Sequence, residues 1–151
     1  MRIVLTIIIG IHGIIHLFGF LKAFGITEFK AISQPISKQF GIIWISVFIL
    51  FTATAILFLK RYKYWWVIGI STVLLSQFLL TTCWSDAKFG TILNFLILVS
   101  AIIGYSTFSF NHKVNAETTQ MFLDSKTLQK NIDSEQMIVD LPSTVQNWLL
   151  N

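Results

Sequence analysis

The sequence predicts an all-α integral membrane protein, a four-helix up-down bundle followed by a short polar C-terminal tail. Three observations predict it. Hydrophobic residues make up 54% of the 151 residues and charged residues only 12%, and the mean hydropathy of +0.72 lies far from the soluble balance. The apolar residues gather into four runs, at 3–21, 41–59, 64–83 and 89–108, each close to the ~20 residues that cross a hydrocarbon core ~30 Å thick. The runs lack the two-residue alternation of a membrane barrel, and a span in lipid must satisfy its own backbone, so each reads as a helix.

The first run follows Met1-Arg2 and resembles a secretory signal, but no A-x-A-like cleavage site comes after it and three further apolar runs do; it reads as a retained span. It carries the stretch "GIHGIIHLFGFLKAFG", with His12 and His16 one helical turn apart. Residues 22–40, "KAFGITEFKAISQPISKQF", alternate Phe24, Ile26, Phe29, Ile32, Ile36 and Phe40 with Lys30, Gln34 and Lys38, the composition of a segment lying in the interface. Pro35 is expected to bend it. Only Lys60-Arg61-Tyr62-Lys63 separates the second run from the third, and only Ser85-Asp86-Ala87-Lys88 the third from the fourth. Connections that short make neighbouring helices antiparallel. Residues 1–109 thus form the membrane domain and 110–151 a polar, partly helical tail. Within the tail, Glu117 to Asn131 suits a helix, and "DLPSTVQNWLLN" suits a second helix start, with Pro142 in the first turn and Val145, Trp148 and Leu149 on one face. That amphipathic turn is expected to lie on the membrane, to meet a partner, or to lead into a further domain truncated at Asn151.

The net charge of +4 divides unevenly: the first 109 residues hold eight Lys and Arg against Glu28 and Asp86, the rest three Lys against five acids. Positive charges at the ends of apolar runs suit anionic lipid headgroups, and no separate basic stripe for nucleic acid exists. Membrane lipids, a second copy of the chain or another membrane protein are the partners expected. Arg2, Lys60, Arg61, Lys63 and Lys113 fall on one side of the membrane, Lys22, Lys30, Lys38 and Lys88 on the other. This bias, with Tyr64, Trp65 and Trp66 as interfacial anchors, favours cytoplasmic termini and a cell-membrane location. The single cysteine, Cys83, excludes an intrachain disulfide and a CxxC redox pair.

Polar residues recur at one depth. Taking each run's end as zero, His16, Ser46, Gln77 and Asn94 all fall roughly 7 to 9 Å below the same surface at ~1.5 Å per residue. His12 shares the face of His16, one turn deeper, and Gly10 and Gly13 permit a neighbouring helix to come close. Above this layer Lys22, Gln34, Trp84, Ser85, Asp86 and Lys88 are expected to form a polar mouth. Such residues at membrane depth serve either as interhelical hydrogen-bond glue or as a functional site. Trp84 also suits an interfacial anchor, and Asp86 with Lys88 and Lys22 an exposed ion pair worth little. Two histidines on one helical face cannot bind opposite faces of one haem. A zinc or copper ion would lack a third ligand, since Cys83 and Asp86 lie shallow, so no metal is expected. A neutral molecule with carbonyls or hydroxyls, such as a quinone, fits the layer better, with Phe18, Phe20, Phe78 and Phe95 around its body.

The pattern His12-Gly13-x-x-His16-x-x-Gly19-Phe20-x-Lys22-Ala23-Phe24-Gly25, with Gln34-Pro35-Ile36-Ser37, Ser76-Gln77 and Trp84-Ser85-Asp86-Ala87-Lys88-Phe89-Gly90-Thr91, resembles a family of uncharacterised bacterial membrane proteins with a four-helix N-terminal region. This resemblance covers nearly the whole chain, and it implies a larger C-terminal domain after a segment like "LPSTVQNWLLN". More distantly, the four-helix layout and Gly/His-rich first helix look like the DoxX-like group, which implies quinol oxidase or thiol-redox contexts. Neither resemblance carries over a catalytic residue. The expectation is an accessory or ligand- or partner-binding membrane module with a polar intramembrane site near one face. The alternative is a quinone-linked redox enzyme or subunit using His12 and His16 as proton-exchanging groups.

Overall fold

Helix α1 (Arg2–Ala23) buries a single stripe, Ile9, His12, Gly13, His16 and Gly19, at the i, i+3, i+4, i+7 spacing that one face of a helix imposes. Ile3, Ile7, Ile11 and Ile14 on its other faces are exposed. The computed structural model describes residues 2–27, 32–131, 138–139 and 141–149. Residue 1, residues 28–31 of the predicted interfacial loop, and 132–137, 140, 150 and 151 of the tail lie outside these, as do the side chains of 127–131 and of Leu149. The helices that follow are α2 (Lys38–Leu59), α3 (Trp65–Thr82), a single turn α4 (Trp84–Ala87), α5 (Gly90–Asn131) and α6 (Ser143–Leu149). No strand occurs among the described residues. Four of the helices, Arg2–Ala23, Lys38–Leu59, Trp65–Thr82 and Gly90–Lys126, are long and apolar enough to cross a membrane. The chain divides into two units, Met1–Phe108 and Ser109–Asn151, and the bundle is the first.

Each turn has a local cause. Helix α1 stops where Gly25 takes φ +67° and the N–H groups of Gly25 and Ile26 return to the carbonyls of Lys22 and Leu21 at 3.0 Å, a glycine-ended helix terminus. Ser37 caps the start of α2, its hydroxyl accepting from the Phe40 N–H at 3.4 Å. The end of α2 repeats the α1 motif, Arg61 N–H to Phe58 and Tyr62 N–H to Leu57. Here a non-glycine residue, Arg61, holds φ 58°. The reversal that follows is tight, and the guanidinium of Arg2 lies 5.5 Å from the Phe58 ring centroid, so α1 begins beside the end of α2. Likewise Trp66 meets Tyr105 at 4.9 Å between centroids, which sets the start of α3 against the far end of the fourth span.

The Ser85 to Lys88 connection is folded partly as α4, and α5 runs unbroken from the fourth apolar run through the Glu117 to Asn131 stretch that suits a helix. After Gly104 no Gly or Pro occurs until Pro142, so nothing in the backbone interrupts the ladder when the side chains turn polar.

The core sits where glycines admit rings. A Cβ at Gly19 would fall 2.2 Å from Trp44 Cδ2, and one at Gly13 would fall 2.9 Å from Phe51 Cβ. Trp44 and Phe51 from α2 therefore press directly on the α1 backbone, as small residues allow between membrane helices. Around them Ile9, Val47, Val73, Leu79 and Ile97 complete the apolar cluster. The expected outcome of Gly19→Ala is a loss of about 1–3 kcal/mol by overpacking, read from thermal unfolding in detergent. Gly10→Ala, where nothing lies within 4 Å of an added Cβ, leaves stability unchanged or slightly raised.

Candidate functional site

Three of the four spans give polar residues to one buried centre, and the fourth, α2, encloses it with aromatic rings. From α1, His12 and His16 are fully buried; from α3 comes Ser76, also fully buried, and from α5 Asn94, 2% exposed. His12 Nε2 lies 2.8 Å from Asn94 Oδ1, His16 Nε2 2.8 Å from Ser76 Oγ, and Ser76 Oγ donates to the same Asn94 oxygen at 3.0 Å. Asn94 Nδ2 donates to Gln77 Oε1 at 3.1 Å, and Gln77 Nε2 to Thr91 Oγ1 at 3.2 Å. An amide oxygen only accepts, so Asn94 Oδ1 requires the proton of His12 to reside on Nε2. Ser76 spends its own proton on Asn94, so His16 Nε2 donates to Ser76. Both rings are thereby set as the same tautomer, and Nδ1 of each is buried without a hydrogen-bond partner.

Aromatic rings from α2 hold the two imidazoles. His12 and His16 meet edge to face at 5.2 Å between centroids. Phe51 lies 4.9 Å from His12 and stacks on His16 at 5.4 Å, while Trp44 lies 5.0 Å from His16. The Trp44 indole N–H is itself buried and unpaired. One turn further into the bundle Thr54 and Thr72 approach at 3.4 Å.

Beside this centre a cavity of about 370 Å³ is lined by His12, Ile15, Phe18, Ile32, Trp44, Leu80, Cys83, Asp86, Ala87, Phe89, Gly90 and Leu93. Its walls are apolar except for His12, Cys83, Asp86 and the Trp44 indole. Gly90 forms the wall nearest the histidine, since a Cβ there would sit 3.4 Å from His12 Cε1 and 2.9 Å from Leu80 Cδ1. A smaller cavity of about 200 Å³ shares Trp44 and Cys83 with it and lies against Gln34, Pro35, Ile36 and Ser37.

The segment from Ile32 to Ser37 is latched over these cavities by Asp86. The Asp86 carboxylate accepts from the Ser33 backbone N–H at 2.7 Å, from the Ser33 hydroxyl at 2.9 and 3.0 Å and from the Gln34 N–H at 3.4 Å. Gln34 Nε2 also donates to Ser85 Oγ at 3.3 Å, and Lys22 Nζ donates to the Ile32 carbonyl. The Ser33 hydroxyl and then the Ser33 backbone N–H hold the Asp86 carboxyl below its ordinary range, with the Gln34 N–H and the Lys22 charge acting in the same direction.

The structure thus brings His12, His16, Gln77 and Asn94 into one network and Lys22, Gln34 and Asp86 into a separate latch. It does not bring Trp84 or Lys88 to either. Trp84 is 53% exposed, and the Lys88 ammonium lies over the Phe89 ring at 5.4 Å, beyond the cavity lining. Asn94 falls in register with His12 rather than with His16. Ser46, expected in the layer, points outward and bonds the Ile42 carbonyl of its own helix, because Trp44 and Val47 occupy the inward face of α2. Phe78 and Phe95 are exposed at 53% and 67%, since each lies one position beyond the inward residue beside it. Sequence reasoning passed over Ser76, Thr91, Trp44, Cys83 and Ser33 as site residues. Ser76 was legible from the stripe Gly69, Thr72, Val73, Ser76, Leu79 and Leu80 that α3 buries, and Thr91 from its place one turn before Asn94. Among the described residues no group of three or more His, Cys, Asp and Glu is placed to hold a metal.

No protein-family model, curated protein or solved structure matches this chain. The fold and site define a class all the same: an all-α, multi-pass bundle with a buried bis-histidine hydrogen-bond centre opening on an apolar cavity.

Two outcomes follow from the geometry. Asn94→Leu removes the shared acceptor of His12 and Ser76 and is expected to cost about 1–2 kcal/mol, measured by thermal or detergent denaturation; Gln77→Leu, only half-buried, costs less. The Asp86 latch is intact at neutral pH because the lowered pKa keeps the carboxylate charged, and it is lost as pH falls through that lowered value. Hydrogen exchange of the Ser33 and Gln34 amides, corrected for intrinsic rate, should rise below the ordinary carboxylate range, and Asp86→Asn should show raised exchange already at neutral pH.

Proposed function

We propose that this chain is an accessory module of the bacterial inner membrane, with both termini cytoplasmic, that binds a small neutral amphipathic molecule in the cavity beside His12. The observation that carries the reading is the cavity itself, apolar along its length, with a buried polar ring at one wall and a latched carboxylate at its rim. Binding sites for small molecules are concave and mostly apolar, with few convergent polar groups. About 370 Å³ lies within the range such sites occupy. The excess of Lys and Arg at Arg2 and Lys60 to Lys63 supports the orientation, and the four-helix layout with its Gly/His-rich first helix, distantly similar to the DoxX-like group, supports a module serving a redox partner.

A quinone-linked redox subunit is the second reading, favoured by one observation: both imidazoles keep Nδ1 unpaired, and neutral imidazole nitrogens exchange protons readily. Lipids and a second copy of the chain, or another membrane protein, would be the partners in either case.

The test is a titration of detergent-purified protein with a short-chain benzoquinone, followed by tryptophan fluorescence, because Trp44 lines the cavity. Saturable quenching is expected, and Ala87→Phe, which fills the cavity without touching the hydrogen-bond centre, should weaken it at least about tenfold. Non-saturable quenching, or the same affinity in the variant, would refute cavity binding. The redox reading additionally requires a quinone to co-purify by mass spectrometry.

A further inference from the structure

The larger cavity has a closed floor and an open wall, and the two differ in chemistry. His12, Trp44, Leu80 and Cys83 are 0%, 2%, 2% and 6% exposed, and the unpaired nitrogens of the imidazole and the indole are shut off from any guest. The accessible part of the lining belongs mainly to Ile15, Phe18, Ala87, Phe89 and Leu93, exposed or half-buried and all apolar. Of the lining residues Phe89 at 73% and Ile15 at 42% keep the most accessible surface, so the mouth lies between the outer face of α1 and the start of α5. Gly90 brings those two elements together, a Cβ there falling 3.4 Å from His12 Cε1. Ile15 precedes Ala23, the last residue of α1, by about two helical turns, roughly 12 Å at ~1.5 Å per residue. The mouth therefore reaches into the hydrocarbon layer, whose half-thickness is about 15 Å.

Toward the membrane surface the same cavity meets Ile32 and Asp86. The charges at that rim are already answered: Asp86 accepts from the Ser33 and Gln34 amides, and Lys22 Nζ donates to the Ile32 carbonyl. A charged head group would find no free counterion there, and a polar one pushed to the floor would lose its water without gaining a partner. An alkyl chain loses nothing on entering, because the wall is as apolar as the lipid it leaves, and it supplies the dispersion contacts that an empty space forfeits. About 370 Å³, at the small end of the range for ligand pockets, gives room to one chain. We propose that the cavity is an alkyl-chain cleft open sideways to the bilayer between α1 and α5, and that it takes a single-chain amphiphile with an uncharged head, of the monoacylglycerol or fatty alcohol type. This rests on the cavity-binding reading above and adds which half of the molecule lies inside and from which side it comes.

The experiment places the full chain in phosphatidylcholine vesicles with a monoacylglycerol carrying a diazirine midway along its chain, and maps the photolabelled residues by mass spectrometry. Labelling at Ile15 and Phe89 is expected to saturate and to be displaced by excess unlabelled monoacylglycerol. At Leu74 and Ile102, which are 63% and 49% exposed and line no part of the cavity, it should rise linearly and resist displacement. Ala87→Phe should cut the saturable labelling at least about tenfold by filling the cleft and leave Leu74 and Ile102 labelled as before, which reports an intact fold; Leu93→Phe, nearer the mouth, should act in the same direction. A fatty acid of the same chain should displace the probe at least about tenfold less effectively, its carboxylate finding no counterion at the rim. Linear labelling at every site, or saturable labelling that both variants leave unchanged, overturns the chain cleft, and equal displacement by the fatty acid overturns the uncharged head. If the cleft fails while the short-chain benzoquinone still quenches saturably, cavity binding stands; if the benzoquinone fails too, both fall.

Discussion

Asn94 is the point on which the bundle turns. Its single side-chain oxygen receives His12 from α1 and Ser76 from α3, and its nitrogen reaches Gln77. In water such a network would be one contribution beside a large hydrophobic drive. In a bilayer the tails solvate isoleucine and phenylalanine on the outside as well as the core would inside, so burial of apolar surface does little to join helices. Close packing and directional hydrogen bonds remain, and both converge on α1: glycines admit the rings of α2, and histidines reach across to α3 and α5.

This division of labour explains the placement of the aromatic residues. Trp44 and Phe51 lie over positions where α1 has no side chain and flank imidazoles that come from the next turns. The α1 sequence alternates absence and polarity along one stripe, and the α2 sequence supplies bulk opposite each absence. A polar centre enclosed in this way is held in one arrangement by its surroundings, which is why a tautomer can be assigned from bonds made on one side of each ring.

Much of the fold was legible in the chain. Four apolar runs bounded by Lys, Arg and short polar turns leave a membrane helix little room to start or stop elsewhere, and Gly25 marks its terminus directly. The extension of α5 to Asn131 was not legible from hydropathy, because helix propensity does not fall where apolarity does. For the site, counting depth from helix ends found the layer containing His16, Gln77 and Asn94. Depth alone cannot say which way a side chain faces, so Ser46 was drawn in though it looks outward, and Ser76 was missed though it sits on the inward stripe of α3. Rotation about the helix axis is fixed by the neighbours, and those come from other parts of the chain. The Ser33 to Asp86 latch was hidden for the same reason, its partners being separated by about fifty residues.

Gly90 has a consequence of its own. It is the first residue of α5 and the piece of wall that stands between the open space and the His12 ring, and it contributes only hydrogen atoms there. Any larger residue there would press on Leu80 and on the His12 ring. The seat of the polar network therefore depends on a position that carries no polar side chain, and a single added methyl group would be felt by a histidine from another helix.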